Sequence, residues 1–125
     1  MKNALDDDRP IFQQIKEQIE DSIINCTYSE GERVPSTNEF ARFYKINPAT
    51  AAKGVNELVD EGILYKRRGV GMFVTENART ILIENRKEKF YVNFMLPLKR
   101  EAEKLQISLQ ELLEMVKRED EGDEN

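Results

Sequence analysis

The chain has 125 residues, 39% of them apolar and 34% charged, which suits one small globular domain or a small domain with an appendage and excludes a disordered chain. Its net charge is −5, with one cysteine and no histidine, so an internal disulfide and a Cys–His nucleophile are impossible and the commonest metal ligand and general base are missing. No apolar run approaches the ~18 residues of a membrane span and no signal peptide opens the chain, so the expected setting is a reducing cytoplasm, with no membrane partner, cofactor, metal or enzymatic activity.

Residues 1–8 are polar and are expected to be loose. Pro10 suits the first turn of a helix, and Phe12, Ile15, Ile19 and Ile23 follow at helical spacing, which predicts an amphipathic helix over 10–26. Cys26, near its end, reads as a small, partly buried apolar residue. Tyr28 to Gly31 breaks the pattern. Arg33-Val34-Pro35 reads as a short extended link, because the residue before a proline avoids the helical region. Ser36-Thr37-Asn38-Glu39 matches a capping box and opens a helix to about Tyr44, with Lys45-Ile46 as a turn. Asn47-Pro48 then supplies an N-cap side chain and a proline at the first helical position. Ala51, Val55, Leu58 and Val59 form the apolar stripe of this helix, and Gly62 is its natural stop. Gly54 inside it costs about 1 kcal/mol relative to alanine, and close helix packing is the expected reason. Ile63–Arg68 and Met72–Val74 read as two strands around Arg68-Gly69-Val70-Gly71, the glycines supplying the positive φ of a tight hairpin.

After Val74 the pattern changes. Residues 76–106 are charged and helical, with Ile83, Phe90, Phe94, Leu98 and Leu105 along one side, and Pro97 is expected to kink or divide this helix. Ser108-Leu109-Gln110-Glu111 is a further capping box, opening a short helix through Arg118. Residues 119–125 form an acidic tail expected to be disordered. The fold class expected is mainly α with a small β-hairpin: a winged helix-turn-helix over 9–75 and a short two-helix dimerisation region over 76–118.

In a helix-turn-helix the second helix enters the major groove of DNA, start first. Here that helix begins at Asn47. With Ala51, Val55 and Leu58 turned inward, Ala49, Thr50 and Lys53 face outward near its start. Thr50 suits a phosphate or a thymine methyl, and Lys53 a phosphate. Asn47 and Ser36 cap their helices, and each helix start is also a seat for an anion. Thr37 and Asn38 stand beside the Ser36 seat. Arg67 and Arg68 at the hairpin tip suit the flanking minor groove, and Gly69 and Gly71 permit close approach. The overall charge is acidic, but Arg42, Lys45 and Lys53 stand with no acid among them between Phe40 and Asn56. A local basic face is effective because screening confines fields to about 8–10 Å. The plain alternative for Ser36 and Asn47 is capping alone, and for Arg42, Lys45 and Lys53 a solvated charge. The stripe from Ile83 onward, with Phe90, Tyr91, Phe94, Leu98 and Leu105, either packs back on the module or pairs with a second copy. Pairing is preferred, because a helix leaving a finished small domain has little of its own chain to cover it.

Several of these stretches together resemble one family. Arg9-Pro-Ile-Phe-Gln-Gln-Ile-Lys16, Gly31-Glu-Arg-Val-Pro-Ser36-Thr-Asn-Glu39, Asn47-Pro-Ala-Thr50 and Leu58-Val-Asp-Glu-Gly62-Ile-Leu64 resemble the winged helix-turn-helix of GntR-family bacterial transcription regulators. Asn47 to Gly54 and Leu105 to Glu111, with about fifty residues after the winged part, resemble the YtrA-like subfamily. The resemblance implies a homodimeric repressor of double-stranded DNA sites, often of operons encoding ABC transporters. Many members carry arginine where this chain has Pro48 and Ala52, which shifts weight to Thr50, Lys53 and the wing. Any small-molecule effector is unidentified. The competing reading of the whole is a winged-helix module that binds other proteins and holds no DNA.

Overall fold

Helix α1, Ile11–Ile24, turns Ile15, Ile19 and Ile23 into the core, with Gln14 beside them at 5% exposure. A buried amide needs every partner it can find. Gln14 finds them in the segment before the helix: its Nε2 donates to the carbonyls of Asp6 (2.8 Å) and Arg9 (3.0 Å), and its Oε1 accepts from the Asp6 amide at 2.6 Å. Residues 6–9 are therefore tied to α1, where a loose start was expected. The computed structural model describes residues 5–119; the expected acidic tail beyond Glu119 lies outside the described residues.

Strand β1 is Arg33–Val34, helix α2 is Thr37–Tyr44, helix α3 is Pro48–Asp60, and strands β2 and β3 are Leu64–Arg67 and Gly71–Val74. The expected hairpin is a three-stranded antiparallel sheet in the order β1-β3-β2. Arg33 pairs with Phe73 and Val34 with Met72, so the extended link before Pro35 forms the third strand. Gly31 N and Val74 N extend this edge by donating to the carbonyls of Val74 and Glu32. Ile15, Ile19, Ile23, Val34, Phe40, Val55, Leu58, Ile63, Leu64 and Val74 fill one core between the helices and the sheet.

Two contacts set the position of α3. Gly54 lies against α1 so closely that a Cβ there would stand 2.6 Å from the Phe12 carbonyl oxygen. The Lys16 ammonium of α1 pairs with Glu57 (3.3 Å) and with Glu61. Burial would depress the Lys16 pKa, but the hydrogen bond and charge of Glu61, the hydrogen bond of Glu57 and the charge of Glu20 outweigh it, and the net direction is upward. Between α2 and α3, Lys45 takes φ +58°, and the amides of Lys45 and Ile46 both donate to the Ala41 carbonyl. A left-handed residue at that point lets the chain reverse within three residues. Cys26 also takes a left-handed φ, +69°, just past the end of α1, and is exposed; the expectation of partial burial fails because the helix has already ended.

Helix α4, Ala78–Phe90, buries Ala78 and Leu82 in the core of the winged module. The chain divides into two compact units after Asn85. In the second, a π-helical turn over Tyr91–Met95 precedes α5, Leu96–Lys104, and α6, Leu109–Lys117, follows with Ser108 Oγ accepting from the Glu111 amide at 3.1 Å. The Leu96 amide donates to the Tyr91 carbonyl, five residues back. Pro97 has no amide hydrogen, and its ring would meet the Asn93 carbonyl in a regular helix; the widened turn lies where that conflict falls.

Candidate nucleic-acid interface

The start of α2 is a complete capping box. Ser36 Oγ accepts from the Glu39 amide at 3.0 Å, and Glu39 Oε1 accepts from the Ser36 amide at 2.6 Å. That backbone bond, then the Ser36 side chain, and then Arg33 and Arg42 hold the Glu39 carboxyl below its ordinary pKa. Capping uses the oxygen lone pairs of Ser36, and a hydroxyl retains a proton to donate. Thr37 is half-buried and Asn38 exposed beside it.

At the start of α3, Asn47 Oδ1 accepts from the Ala49 amide at 2.7 Å. The cap consumes the acceptor end of this side chain, and its NH2 end is by nature a donor. Ala51, Gly54, Val55 and Leu58 are buried, whereas Pro48, Ala49, Lys53, Asn56 and Asp60 are exposed and Thr50 is half-buried. Ala49, Lys53, Asn56 and Asp60 recur at helical spacing, so they make one outward stripe. The Lys53 ammonium lies 4.0 Å from the centroid of the Phe12 ring. A cation over an aromatic face is steered as well as solvated. Asn56, one turn beyond Lys53, was not singled out by sequence reasoning. Its signal is the seven-residue step from Ala49, and its amide suits an adenine edge.

The wing is the β2–β3 hairpin. Arg67 pairs with Gly71 at its end, and Val70 N donates to the Arg67 carbonyl at 2.8 Å across Arg68 and Gly69. Gly69 has φ +76° and Gly71 φ +142°, both glycine country. Arg67 lays its guanidinium 4.9 Å from the centre of the Phe73 ring, and Arg68 and Gly69 are exposed in the turn. The wing's neighbour is Arg33, also passed over in the sequence. Its Nε donates to the Val70 carbonyl at 3.3 Å and its Nη2 lies 3.6 Å from Glu39. The pairing of β1 with β3 thus places the Ser36 seat two residues beyond a strand of the wing sheet.

In the second unit, Phe90, Tyr91, Phe94, Leu98 and Leu105 are exposed, and the rings of Phe90 and Phe94 lie 5.6 Å apart. Ile83 is half-buried in the first unit. Helix α6 adds Leu109, Leu113 and Val116, at 72%, 49% and 71% exposure. Their spacing of four and three residues was the signal available for them. No described helix is long and apolar enough to cross a membrane.

A model of bacterial regulatory proteins of the gntR family matches residues 11–74. The HTH-type transcriptional repressor YtrA of Bacillus subtilis is 36% identical over 77 residues, 62% of this chain and 59% of that repressor, so the match spans under two thirds of its length. The HTH-type transcriptional regulator YhcF of the same organism is 30% identical over 98% of this chain and 99% of its own. A GntR-family transcriptional regulator from Listeria monocytogenes superposes with a TM-score of 0.76 at 30% identity, covering 90% of this chain and 97% of that one. The AraR DNA-binding domain, in a crystal structure with an operator, superposes with a TM-score of 0.52 at 28% identity over 60% of this chain and 92% of its own. The helix-helix-wing geometry and these likenesses converge: the chain belongs to the GntR family of bacterial transcription regulators.

Proposed function

We propose that this chain is a homodimeric transcriptional repressor that reads an inverted-repeat operator, with α3 in the major groove and the wing on the flanking backbone or minor groove. The observation that carries the reading is the outward stripe of α3. It begins at a capped helix start, holds no acid before Asp60, and shares a module with the cationic turn at Arg67 and Arg68. Ala49, Thr50 and Asn56 then touch base edges, while Ser36, Thr37, Asn38, Asn47 and Lys53 hold phosphates. Gly69 and Gly71 let the wing backbone approach. The operator-bound AraR domain and the repressor YtrA support this role.

The second copy is expected to cover Phe90, Tyr91, Phe94, Leu98 and Leu105, helped by Ile83 and the exposed leucines of α6. The regulated genes are proposed to encode an ABC transporter, as the subfamily resemblance implies. Selection from random duplexes is expected to return an inverted repeat with half-sites about one turn (~34–36 Å) or a multiple apart. Equal retention of every duplex would defeat sequence-specific reading and favour a module that binds other proteins. Replacing Arg67 and Arg68 with alanine is expected to reduce the salt slope of binding by up to about 2. In sedimentation, Phe94→Glu is expected to convert a dimer to a monomer. Deleting the gene is expected to raise transcription of the transporter operon, and unchanged transcript levels would remove that assignment.

A further inference from the structure

Three unrelated features converge on the Arg33 side chain. The Val70 carbonyl at the wing turn accepts from its Nε, and Glu39 Oε1, the oxygen that closes the α2 capping box, faces its Nη2. A Cβ on residue 71 would stand 2.7 Å from that Nε, so glycine at this position leaves the path of the side chain open. The wing otherwise rests on two short strands, of four residues each, on the two-residue pairing of β1 with β3 away from the tip, and on its own turn bond. Hairpins of that size are marginal alone, and their tips fray first.

We propose that Arg33 is a positioning residue that clamps the tip of the wing to the start of α2. Resting on the DNA-binding reading, the clamp holds Arg67 and Arg68 at a fixed distance from the Ser36 seat. Both elements then meet the duplex already in register, and the ordering cost of binding falls. The two partners are engaged through different nitrogens of one rigid fork. Lysine has the charge, but its donors radiate from one compact, strongly hydrated nitrogen on a flexible stem, so it lacks the fixed fork that meets these two acceptors through separate nitrogens. A residue that merely neutralised a phosphate would tolerate lysine, and a clamp does not.

The test uses the full chain and a duplex recovered by selection, with Arg33→Ala and Arg33→Lys made alone and on the Arg67→Ala, Arg68→Ala background. Both single variants are expected to bind about tenfold more weakly, the loss expected if the wing holds its clamped pose about a tenth of the time. On the wing-less background Arg33→Ala is expected to add almost nothing. Wild-type affinity in Arg33→Lys, or an undiminished effect without the wing arginines, overturns the proposal. A second arm needs no DNA. Amide exchange at Val70 and Gly71 in the free protein is expected to accelerate in Arg33→Lys while the melting temperature holds. Unchanged exchange overturns the clamp. Failure of the wild-type chain to bind any duplex would instead defeat the DNA reading and leave this arm to decide.

Discussion

Replacing Gly54 with alanine sets two known effects against each other. Alanine is the better helix former by about 1 kcal/mol, so at an exposed site the change would stabilise α3. At this site the new methyl would lie 2.6 Å from the Phe12 carbonyl oxygen, with Ile15 Cβ and the Lys16 amide just behind at 3.4 and 3.5 Å. That is about 0.7 Å short of the ~3.3 Å at which even close C–H···O contacts sit. The obstacle is backbone, so no rotamer change relieves it and α1 must retreat as a body. Overpacking of this kind costs typically 1–3 kcal/mol, and the rigidity of the obstacle favours the upper part of that range. The net expectation is a loss of about 1–2 kcal/mol, or roughly 5–15 °C in melting temperature for a domain this small. Thermal melts and urea titrations of the two proteins decide it, with the urea slope unchanged if only stability has moved. A melting temperature equal to or above that of the wild type would refute the reasoning. It would mean that the α1–α3 contact yields freely and that glycine is not needed for it.

Asn47→Asp separates capping from DNA contact: aspartate caps as well as asparagine and favours the helix dipole, so stability is expected to hold while DNA affinity falls. Unchanged affinity would remove Asn47 from the interface. Tyr44 is 8% exposed and its hydroxyl has no hydrogen-bond partner among the described residues. Tyr44→Phe is therefore expected to leave stability unchanged or raise it by about 1 kcal/mol; a clear drop in the melt would show that the hydroxyl is satisfied. The folded chain holds the Glu39 carboxyl below its ordinary pKa of 4.5. Its contribution is thus fully present above that value and is lost as pH falls through the lower, folded one. The stability difference between wild type and Glu39→Gln is expected to narrow on acidification through this window, and a constant difference would count against the capping carboxylate.

The elements that could be read from the sequence are those whose cause lies within a few residues. Ser36 reaches Glu39, Asn47 reaches Ala49, and Gly62 ends its own helix with φ +79°. Each is local chemistry, and the exposure of Ala49 and Lys53 followed from the same phase, whereas Thr50, expected to face outward with them, is half-buried. What could not be read depends on distant partners. The extended Arg33–Val34 link becomes a strand only because Met72 and Phe73, nearly forty residues on, present an open edge. The role of Arg33 needs both Val70 and Glu39 in place. The break at Pro97 was readable, but its form as a π turn over Tyr91–Met95 was not, because α and π turns differ by one residue of slack. Cys26 shows the reverse error: periodicity carried the helix two residues too far.

The two faces of α3 share no residue. Ala51, Gly54, Val55 and Leu58 are buried in the scaffold, and Ala49, Lys53, Asn56 and Asp60 are exposed, with the Lys53 ammonium lying over the Phe12 ring of α1. Substitution of Ala49 or Asn56 therefore leaves the core untouched, and surface changes of this kind usually move stability by no more than about 0.5 kcal/mol. A gene duplication could thus redirect one copy through a handful of point changes while both copies still fold. The small side chains of Ala49 and Asn56 on that stripe leave room for larger ones, so such divergence needs no prior loosening of the core.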